Sequence, residues 1–409
     1  MKERKISLFD LIYVAVLLLV FLATLNFENK YFYLYFFAFA ASLLLSQKIT
    51  FNTSLICLLV LSLCITLFAN WTRDTILTMI KPFVFPLAYI MGCNLFGSKK
   101  MELEKSEKRV TNVLMIVSGG MFLHYILNWV SNAGDVTNRN TIDYWTKEVL
   151  AATNQAVMAV MALGVSVAIL LSNFKIWKKI IALAAVAAIM IYNLTLAGRT
   201  LVFMTVILVV AGVIYRITIE KKGRAKFLLG FVGILLILVL LFAFDAFGLR
   251  SMTEESLLAN RFGPSGSMDI DETERVDQKL NYLKGIWAYP FGGGHFREIA
   301  GYAHDIFFDT FDEAGIFAFI AIIIYVVAAA SRMVKVAKDK QLTNNFKFLI
   351  LCTYLACFMM FCLEPVILNA QWMFASFCLI DGATSELLLQ HRTVCKKQEK
   401  ISTEPNSIK

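Results

Sequence analysis

Charged residues are scarce in this chain of 409 residues: Asp, Glu, Lys and Arg make up 17% of it, and 58% is hydrophobic. Soluble domains carry about 25% charged residues, so the scarcity argues against a soluble protein with one apolar core. Lipid is the expected solvent, since the mean hydropathy is +0.67. In hydrocarbon every backbone polar group must be bonded within its own segment, so the long apolar runs predict membrane-spanning helices rather than strands.

Signals of several other classes are missing. None of the eight cysteines lies in a predicted outer loop, so no disulfide is expected. The glycines at 292–294 follow no strand and precede no Lys-Ser/Thr pair, which argues against a nucleotide-binding loop. Cys352, Cys357 and Cys362 lack an accompanying histidine and the spacing of a metal site, so no metal is predicted. The first apolar run lacks a small-residue cleavage site and is expected to be a retained anchor.

About twelve apolar runs bounded by charge predict an all-α polytopic membrane protein. The predicted spans cover residues 8–25, 31–46, 53–70, 75–96, 110–131, 150–172, 176–194, 200–216, 226–245, 304–330, 346–364 and 371–390. Most of the 39 lysines and arginines lie in connections on the side of the N-terminus, which the positive-inside rule assigns to the cytoplasm. Both termini are therefore predicted to be cytoplasmic, and the net charge of +9 reflects topology rather than a nucleic-acid partner.

The predicted organisation is asymmetric. Residues 1–245 hold helices 1 to 9 with an outer loop at 132–149, and residues 246–303 form a large extracytoplasmic loop with an interfacial helix. Residues 304–390 hold helices 10 to 12, and residues 391–409 form a cytoplasmic tail. The longest connection is external and no internal repeat is found, which argues against a transporter built from two similar halves.

The loop after the fifth predicted span mixes charges with aromatic rings. Arg139, Asp143, Tyr144, Trp145 and Lys147 combine the groups that bind phosphates with those that contact sugar rings. The same composition suits an ordinary wet loop with an interfacial aromatic belt. Both interpretations stay open on the residues alone.

Two further cations lie at or within predicted spans. Arg199 follows Gly198 at a junction with almost no loop, where it either snorkels to lipid headgroups or points into a polar cavity. Lys81 lies beside Pro82 and close to Pro86 inside the fourth predicted span. A snorkelling anchor is the preferred interpretation of Lys81, and a further functional charge is the alternative.

The end of the large loop combines a predicted surface helix with a glycine turn. Arg275 opens an amphipathic stretch whose apolar positions recur at helical spacing, at Val276, Leu280, Leu283 and Trp287. The segment 289–296 follows, and its three glycines permit a sharp re-entry and a close approach of the backbone to a ligand.

An acidic stripe with a histidine opens the tenth predicted span. If the segment is helical, one face carries Asp305, Asp309, Asp312 and Glu313. Carboxylates stripped of water must be paired or line a cavity, although acids near a helix start also complement its dipole. His304 lies at a water-accessible helix start, where an imidazole can take up a proton near neutral pH. A purely structural boundary residue is the alternative for His304.

The histidine segment resembles the O-antigen polymerase and O-antigen ligase superfamily, which includes the capsular (Wzy-type) repeat-unit polymerases. The ligase-side signature of that family is His, then Asn, Ser or Gln, nine residues, Gly, two residues, and Gly, Thr or Tyr. His304 and Gly315 match the signature, whereas Asp305 and Ala318 depart from it. The departures favour a polymerase over a ligase.

Two more motifs carry the same resemblance. Gly198-Arg199-Thr200 is similar to a Gly/Ser-Arg segment that opens a span in the family. Arg275, followed by an amphipathic stretch and the run 290–294, is similar to the family's Arg, spacer, Pro-x-x-Gly-x-Gly run before the histidine helix.

The resemblance implies a membrane glycosyltransferase (GT-C-like) fold and a metal-independent, inverting transfer without a cofactor or a nucleotide sugar. A growing glycan would pass from an undecaprenyl-diphosphate carrier onto another lipid-linked repeat unit. The residues expected to bind the diphosphate are Arg199, Arg275 and Arg139. The expected catalytic residues are His304 as the base, with Asp305 and Asp309. The rings expected to contact glycan are those of Tyr144, Trp145 and Trp287.

The resemblance also implies partners and a location. The expected partners are the undecaprenyl-diphosphate-linked oligosaccharide, membrane lipid, a chain-length regulator and a flippase. The expected location is the bacterial cytoplasmic (inner) membrane, where the enzyme would build a cell-envelope polysaccharide such as a capsule. Two other functions stay open: an O-antigen-ligase-like transferase that acts on another acceptor, and a transporter or flippase for lipid-linked oligosaccharides.

Overall fold

A computed structural model shows a chain that is 81% helical. The described residues are 7–46, 49–69, 79–97, 101–133, 140–196, 198–219, 224–225, 227–230, 232–233, 268–301 and 303–403. For residues 268–276, 300, 368 and 392–403 only the backbone is described. The ninth predicted span, 226–245, and the first part of the large loop, 246–267, lie largely or wholly outside these ranges.

The helices follow the apolar runs of the sequence. The first eight are α1 Leu8–Thr24, α2 Tyr31–Leu43, α3 Thr53–Phe68, α4 Val84–Asn94, α5 Leu103–Ser131, α6 Ala152–Leu171, α7 Ile176–Thr195 and α8 Thr200–Ile219. The others are α9 Met268–Gly285, α10 Phe296–Ala300, α11 Ile306–Lys338, α12 Asn344–Leu363, α13 Val366–Asn369 and α14 Gln371–Thr403. Single 3-10 turns occupy Phe27–Asn29 and Lys81–Phe83.

Seven of the described helices are long and apolar enough to cross a membrane: α5, α6, α7, α8, α11, α12 and the part Gln371–His391 of α14. α1, α2 and α3 are shorter apolar helices. The chain is therefore an all-α, multi-pass membrane protein, as the composition predicts. The fourth predicted span, 75–96, is interrupted: residues 79 and 80 are helical, the 3-10 turn that contains Pro82 follows, and α4 begins at Val84, while residues 75–78 lie outside the described ranges.

α6 lies at the centre of the bundle, packed by α5, α7, α8 and α12. In its most apolar 18-residue stretch 83% of the residues are buried, compared with 22% in α7 and in α8. Two other packed pairs join distant parts of the chain, because α11 lies along α3 and α14 lies along α4. α7 and α8 are apolar but largely exposed within the bundle, so lipid is their remaining neighbour.

The predicted loop 132–149, together with the first two residues of the sixth predicted span, contains an element that the sequence did not predict. β1 Asn140–Ile142 pairs antiparallel with β2 Val149–Ala151, with Thr141 opposite Leu150. The Asn132 side chain, just beyond α5, accepts from the Ile142 backbone N–H and donates to the Ile142 carbonyl oxygen, both at 2.8 Å. Because the asparagine amide bonds like one more strand residue, this hairpin has an anchor at a helix end.

The connections gather at two opposite ends of the bundle. At the hairpin end, the Trp145 indole donates to the Leu25 carbonyl oxygen (3.1 Å) and the Tyr31 hydroxyl donates to Gln371 (2.8 Å). At the basic end, the Thr343 backbone N–H donates to Glu107 (3.0 Å). At the same end, the Asn173 backbone N–H donates to the Asn345 side chain, and Arg216 donates to the Leu171 carbonyl oxygen. The loops that the charge pattern places on one side of a membrane thus meet at one end.

Candidate functional site

α11, which begins just after His304, is broken at Gly315, where φ is +79°. The break leaves backbone groups of α11 without partners inside the helix, and the segment 290–294, called the glycine turn here, bonds three of them. Gly293 N donates to the Glu313 carbonyl oxygen (3.1 Å), and Gly294 N donates to that of Asp312 (2.8 Å). Ile316 N donates to the Pro290 carbonyl oxygen (2.8 Å).

Glycine is required on both sides of this contact. A Cβ atom on Gly292 would lie 2.6 Å from the Gly315 nitrogen, and one on Gly315 would lie 2.4 Å from the Pro290 carbonyl oxygen. Both residues also have a positive φ, which L side chains rarely adopt. The Pro-x-Gly run and the His-to-Gly motif, separate in the sequence, therefore form one backbone-bonded unit.

Arg297 in α10 pairs with two acids of the predicted stripe. Its guanidinium donates to Asp312 from Nε (3.2 Å) and to Glu313 from Nη2 (2.6 Å), and its backbone N–H donates to Asp312 (3.0 Å). The Asp312 side chain is completely buried. A bidentate arginine is the partner that a buried carboxylate pair needs.

Asp305 has a structural role as the N-cap of α11. Its Oδ1 accepts from the backbone N–H groups of Phe307 (3.0 Å) and Phe308 (2.8 Å). Its Oδ2 forms an ion pair with Lys279 of α9 (2.9 Å). Arg275, predicted to bind the diphosphate, lies one helical turn before Lys279, and its side chain is outside the described part of the structure.

Tyr282 holds α9 against the same unit. Its hydroxyl donates to the Gly301 carbonyl oxygen (2.9 Å), and its ring packs on Phe296 and Phe308. Burial, together with the charges of Asp312 and Asp309, raises the pKa of Tyr282 above its usual 10.0. The phenol therefore stays neutral and acts as a hydrogen-bond donor.

Asp309 is the acid that remains. It is 1% exposed, and neither oxygen of its carboxyl has a hydrogen-bond partner among the residues that the structure describes. Asp305, Asp312 and Glu313 lie near enough to act on it electrostatically, as does Arg297. A buried polar group without a partner is unfavourable, so Asp309 is a candidate for a role that involves a further ligand or a proton.

His304 lies immediately before this cap and is strained. Its φ of +55° is in the left-handed region, which is uncommon for a residue with a side chain. The residue is half-buried, next to the Asp305 side chain that caps α11. Strain of this kind concentrates at functional sites, and it falls here on the predicted base.

Arg199 lies at the start of α8, as the motif predicts. The Asn193 side chain donates to the Gly198 carbonyl oxygen and closes the tight junction before it. The next residue, Thr200, donates to Glu364 across the bundle (3.4 Å), and Glu364 is 2% exposed. Arg199 is thus held beside the segment that links α12 to α14.

A polar cavity of about 330 Å³ lies at the hairpin end. We call it the hairpin cavity. Its charged lining residues are Lys81, Asp143 and Glu148; α13 adds Asn369, and the first turn of α14 adds Gln371 and Trp372. The remaining wall includes Asn26, Asn29, Tyr31, Thr146 and Asn154. Amides, hydroxyls and an indole face are the groups that bind the hydroxyls and the ring faces of sugars.

A buried histidine and carboxylate support this cavity. His124 Nε2 lies 2.8 Å from Asp143 Oδ2, and both residues are at most 2% exposed. Burial alone would raise the pKa of Asp143, but the hydrogen bonds from His124 and from the backbone of Thr146 and Trp145 lower it to about 2. His124 was missed in the sequence, although a histidine in the middle of an apolar span is itself a signal of function.

The three predicted glycan-binding rings have different surroundings. Trp145 bonds the end of α1 and packs on Phe27 with ring centroids 4.9 Å apart, so it fastens the hairpin. Tyr144 packs on Trp145, and both lie in the hairpin loop that contributes Asp143 and Thr146 to the cavity wall. Trp287 is 76% exposed beyond the end of α9. Arg139 lies outside the described residues.

Comparison of the chain with models of known protein families and with curated proteins finds no match. Within the described ranges, no group of three or more His, Cys, Asp or Glu side chains is arranged to hold a metal ion.

Proposed function

We propose that the chain is a polysaccharide polymerase of the bacterial cytoplasmic membrane. It transfers a growing glycan from an undecaprenyl-diphosphate carrier onto another lipid-linked repeat unit. The observation that carries the proposal is the contact between the glycine turn and the break at Gly315. Two motifs that resemble one family and are separate in the sequence form one structural unit, with His304 and Asp309 beside it.

The proposed topology has twelve spans, cytoplasmic termini and the hairpin end outside. The lysine-rich and arginine-rich connections gather at the opposite end, which supports a cytoplasmic position for it. α9 then lies along the outer membrane surface. Its predicted apolar stripe supports this placement, since Leu280, Leu283 and Trp287 are 45%, 53% and 76% exposed.

Departure of the diphosphate needs cations, and this end of the bundle supplies several. Lys81 lines the hairpin cavity, whereas Lys279 and Arg297 are already paired with acids at the start of α11. Arg199, Arg275 and Arg139 are the residues that the family resemblance assigns to the diphosphate. One guanidinium group can donate two parallel hydrogen bonds to phosphate oxygens, and its charge stabilises the negative charge that develops on the leaving group.

The transfer joins an acceptor hydroxyl to the anomeric carbon of the donor. The hydroxyl oxygen forms the new bond to that carbon as the bond to the diphosphate oxygen breaks, and the diphosphate leaves with the electron pair. His304 takes the hydroxyl proton, assisted by Asp309. Attack on the face opposite the diphosphate inverts the anomeric carbon. Trp372 and the amides of the hairpin cavity position the sugars.

A transporter of lipid-linked oligosaccharide is the second candidate, and one observation favours it. Transporters commonly bind their substrates at interrupted helices, and α11 is interrupted at Gly315 next to a buried acid. A ligase that uses a different acceptor shares the chemistry of the polymerase. The three functions differ in their products, so a product assay separates them.

The test is chain growth by purified protein in liposomes that contain only lipid-diphosphate repeat units. Gel electrophoresis should show a ladder of longer lipid-linked glycans. His304→Gln should leave single repeat units while the protein remains folded in the liposome. His391→Gln is the matched control, because His391 contacts Asp339 at the basic end (3.0 Å) and should leave the ladder unchanged.

Two results would contradict the proposal. Movement of the substrate across the bilayer without any longer product would identify a transporter. Transfer only after a different acceptor is added would identify a ligase.

A further inference from the structure

α5 and α7 touch near the hairpin end and separate toward the basic end. Near the hairpin end the rings of Trp129 and Tyr192 stack with centroids 5.7 Å apart, and the Tyr125 hydroxyl donates to the Ile189 carbonyl oxygen (3.0 Å). Toward the basic end both helices still pack on α6, but a cavity of about 390 Å³ lies between them. We call it the wedge cavity.

The wall of the wedge cavity is mainly apolar. Its apolar residues include Met115 and Phe122 from α5, Val165 and Ile169 from α6, and Ile181 and Ala185 from α7. The surface around the cavity is apolar as well, since Ile180 and Leu183 of α7 are 60% and 59% exposed. In a membrane protein such a surface faces lipid, so the cavity favours hydrocarbon as its occupant.

The mouth of the wedge cavity is basic and aromatic. Trp177 and Lys178, in the first turn of α7, both line it. The Lys178 ammonium lies 5.2 Å from the Phe174 ring centroid and 5.5 Å from that of Trp177. Rings and lysines of this kind mark the headgroup level of a membrane. A lysine at this level attracts anionic lipid headgroups.

We propose that the wedge cavity binds one anionic phospholipid, with an acyl chain between α5 and α7 and the phosphate beside Lys178. The charge of the mouth and the apolar wall select a lipid that carries both a chain and a negative headgroup. The same helix α5 carries His124 and Asn128 to the hairpin end. The lipid therefore supports the position of the helix that presents them, whichever reaction the protein performs.

The test is native mass spectrometry of the full chain, delipidated in detergent and then given equal amounts of phosphatidylglycerol and phosphatidylcholine. One phosphatidylglycerol should be retained in preference. Gly119→Phe should weaken this retention at least tenfold, because Gly119 lines the cavity and a Cβ there meets no atom within 4 Å. Val206→Phe is the matched control, since it adds the same ring to an exposed position on α8.

Lys178→Gln should abolish the preference for phosphatidylglycerol and leave retention of phosphatidylcholine unchanged. Lys175→Gln, at an exposed residue outside the cavity wall, should keep the preference. If Gly119→Phe fails to fold, Ala185→Leu obstructs the opposite wall and should weaken retention in the same way.

Three outcomes would overturn the proposal. One is wild-type retention in Gly119→Phe or Ala185→Leu. Another is an unchanged lipid preference in Lys178→Gln. The third is displacement of phosphatidylglycerol by a lower concentration of undecaprenyl phosphate, which would make the carrier lipid the true occupant.

Discussion

Gly292 and Gly315 meet backbone to backbone, each with a positive φ, so that neither has room for a side chain. This contact joins the glycine turn to the break in α11 and fixes the segment that carries Asp309. The contact explains why glycine is required at position 292 of the glycine turn and at position 315 of the histidine motif. Substitution of either glycine also tests directly whether the contact between the glycine turn and α11 is needed for stability and chain growth.

Gly315→Ala should destabilise the protein by at least about 1 kcal/mol, because alanine must adopt a left-handed conformation and its Cβ meets the Pro290 carbonyl oxygen. The measurement is the unfolding midpoint in detergent, together with chain growth in liposomes. Gly119→Ala is the control, since that Cβ has open space in a helix and should be neutral or slightly stabilising. Equal stability of the two variants would contradict the assigned role of Gly315.

Arg297→Ala should destabilise the protein by roughly 1–3 kcal/mol, because it leaves the buried Asp312 carboxylate without its partner, while the Arg297 side chain is itself 38% exposed and screened by solvent. Arg297→Lys should recover part of this loss, since lysine restores the charge but not the paired contacts to Asp312 and Glu313. Chemical denaturation of the purified protein measures both. Recovery to the wild-type value by lysine would show that the geometry of the guanidinium is unimportant.

The stability of the hairpin cavity should depend on acid pH through Asp143. Its pKa in the folded protein is about 2, below the usual 3.8, so the ionised carboxylate stabilises the fold above about pH 4. That stabilisation should be lost progressively as the pH falls toward 2. Thermal unfolding followed between pH 6 and pH 2 measures the effect.

Asp143→Asn is the control for this titration and should flatten the slope in the acid range. His124→Gln should lower stability by roughly 1–3 kcal/mol at neutral pH, because the buried carboxylate loses its histidine partner. An unchanged acid slope in Asp143→Asn would assign the titration to another group.

Lys81→Gln should weaken binding of the lipid diphosphate, because it removes a cation from the wall of the hairpin cavity. The expected result is a rise in the substrate concentration needed for half-maximal chain growth, with the fold unchanged. Lys30→Gln is the matched control, since Lys30 is exposed, pairs with Glu28 and is absent from the cavity wall, and it should have little effect. Similar kinetics for both variants would support the interpretation of Lys81 as a membrane anchor.

The sequence predicted the all-α, multi-pass class of the protein and less of the candidate site. Apolar runs determine helices in lipid, because no other backbone conformation satisfies its own hydrogen bonds there. The break at Gly315 was not predicted, since it depends on acceptors and donors that the glycine turn supplies. The structural role of Trp145 was hidden for the same reason, because its acceptor is the carbonyl oxygen of Leu25 in another helix.

Other parts of the site depended on tertiary contacts that no local pattern shows. The acidic stripe was predicted as one face, yet its members differ. Asp305 caps a helix, Asp312 and Glu313 share Arg297, and Asp309 is buried without a described partner. Trp372 lies in a predicted apolar span whose sequence does not indicate a binding residue. It lines the hairpin cavity because of how the helices pack.

The glycine turn has a consequence for assembly of the chain in the membrane. Its bonds to Asp312, Glu313 and Ile316 join residues that lie close together in sequence, so closing this loop requires little loss of chain entropy. The packing of α11 along α3, by contrast, joins segments from opposite halves of the chain. Asp312 and Glu313 at the start of α11 can therefore be paired with Arg297 locally, before the rest of the span packs against α3.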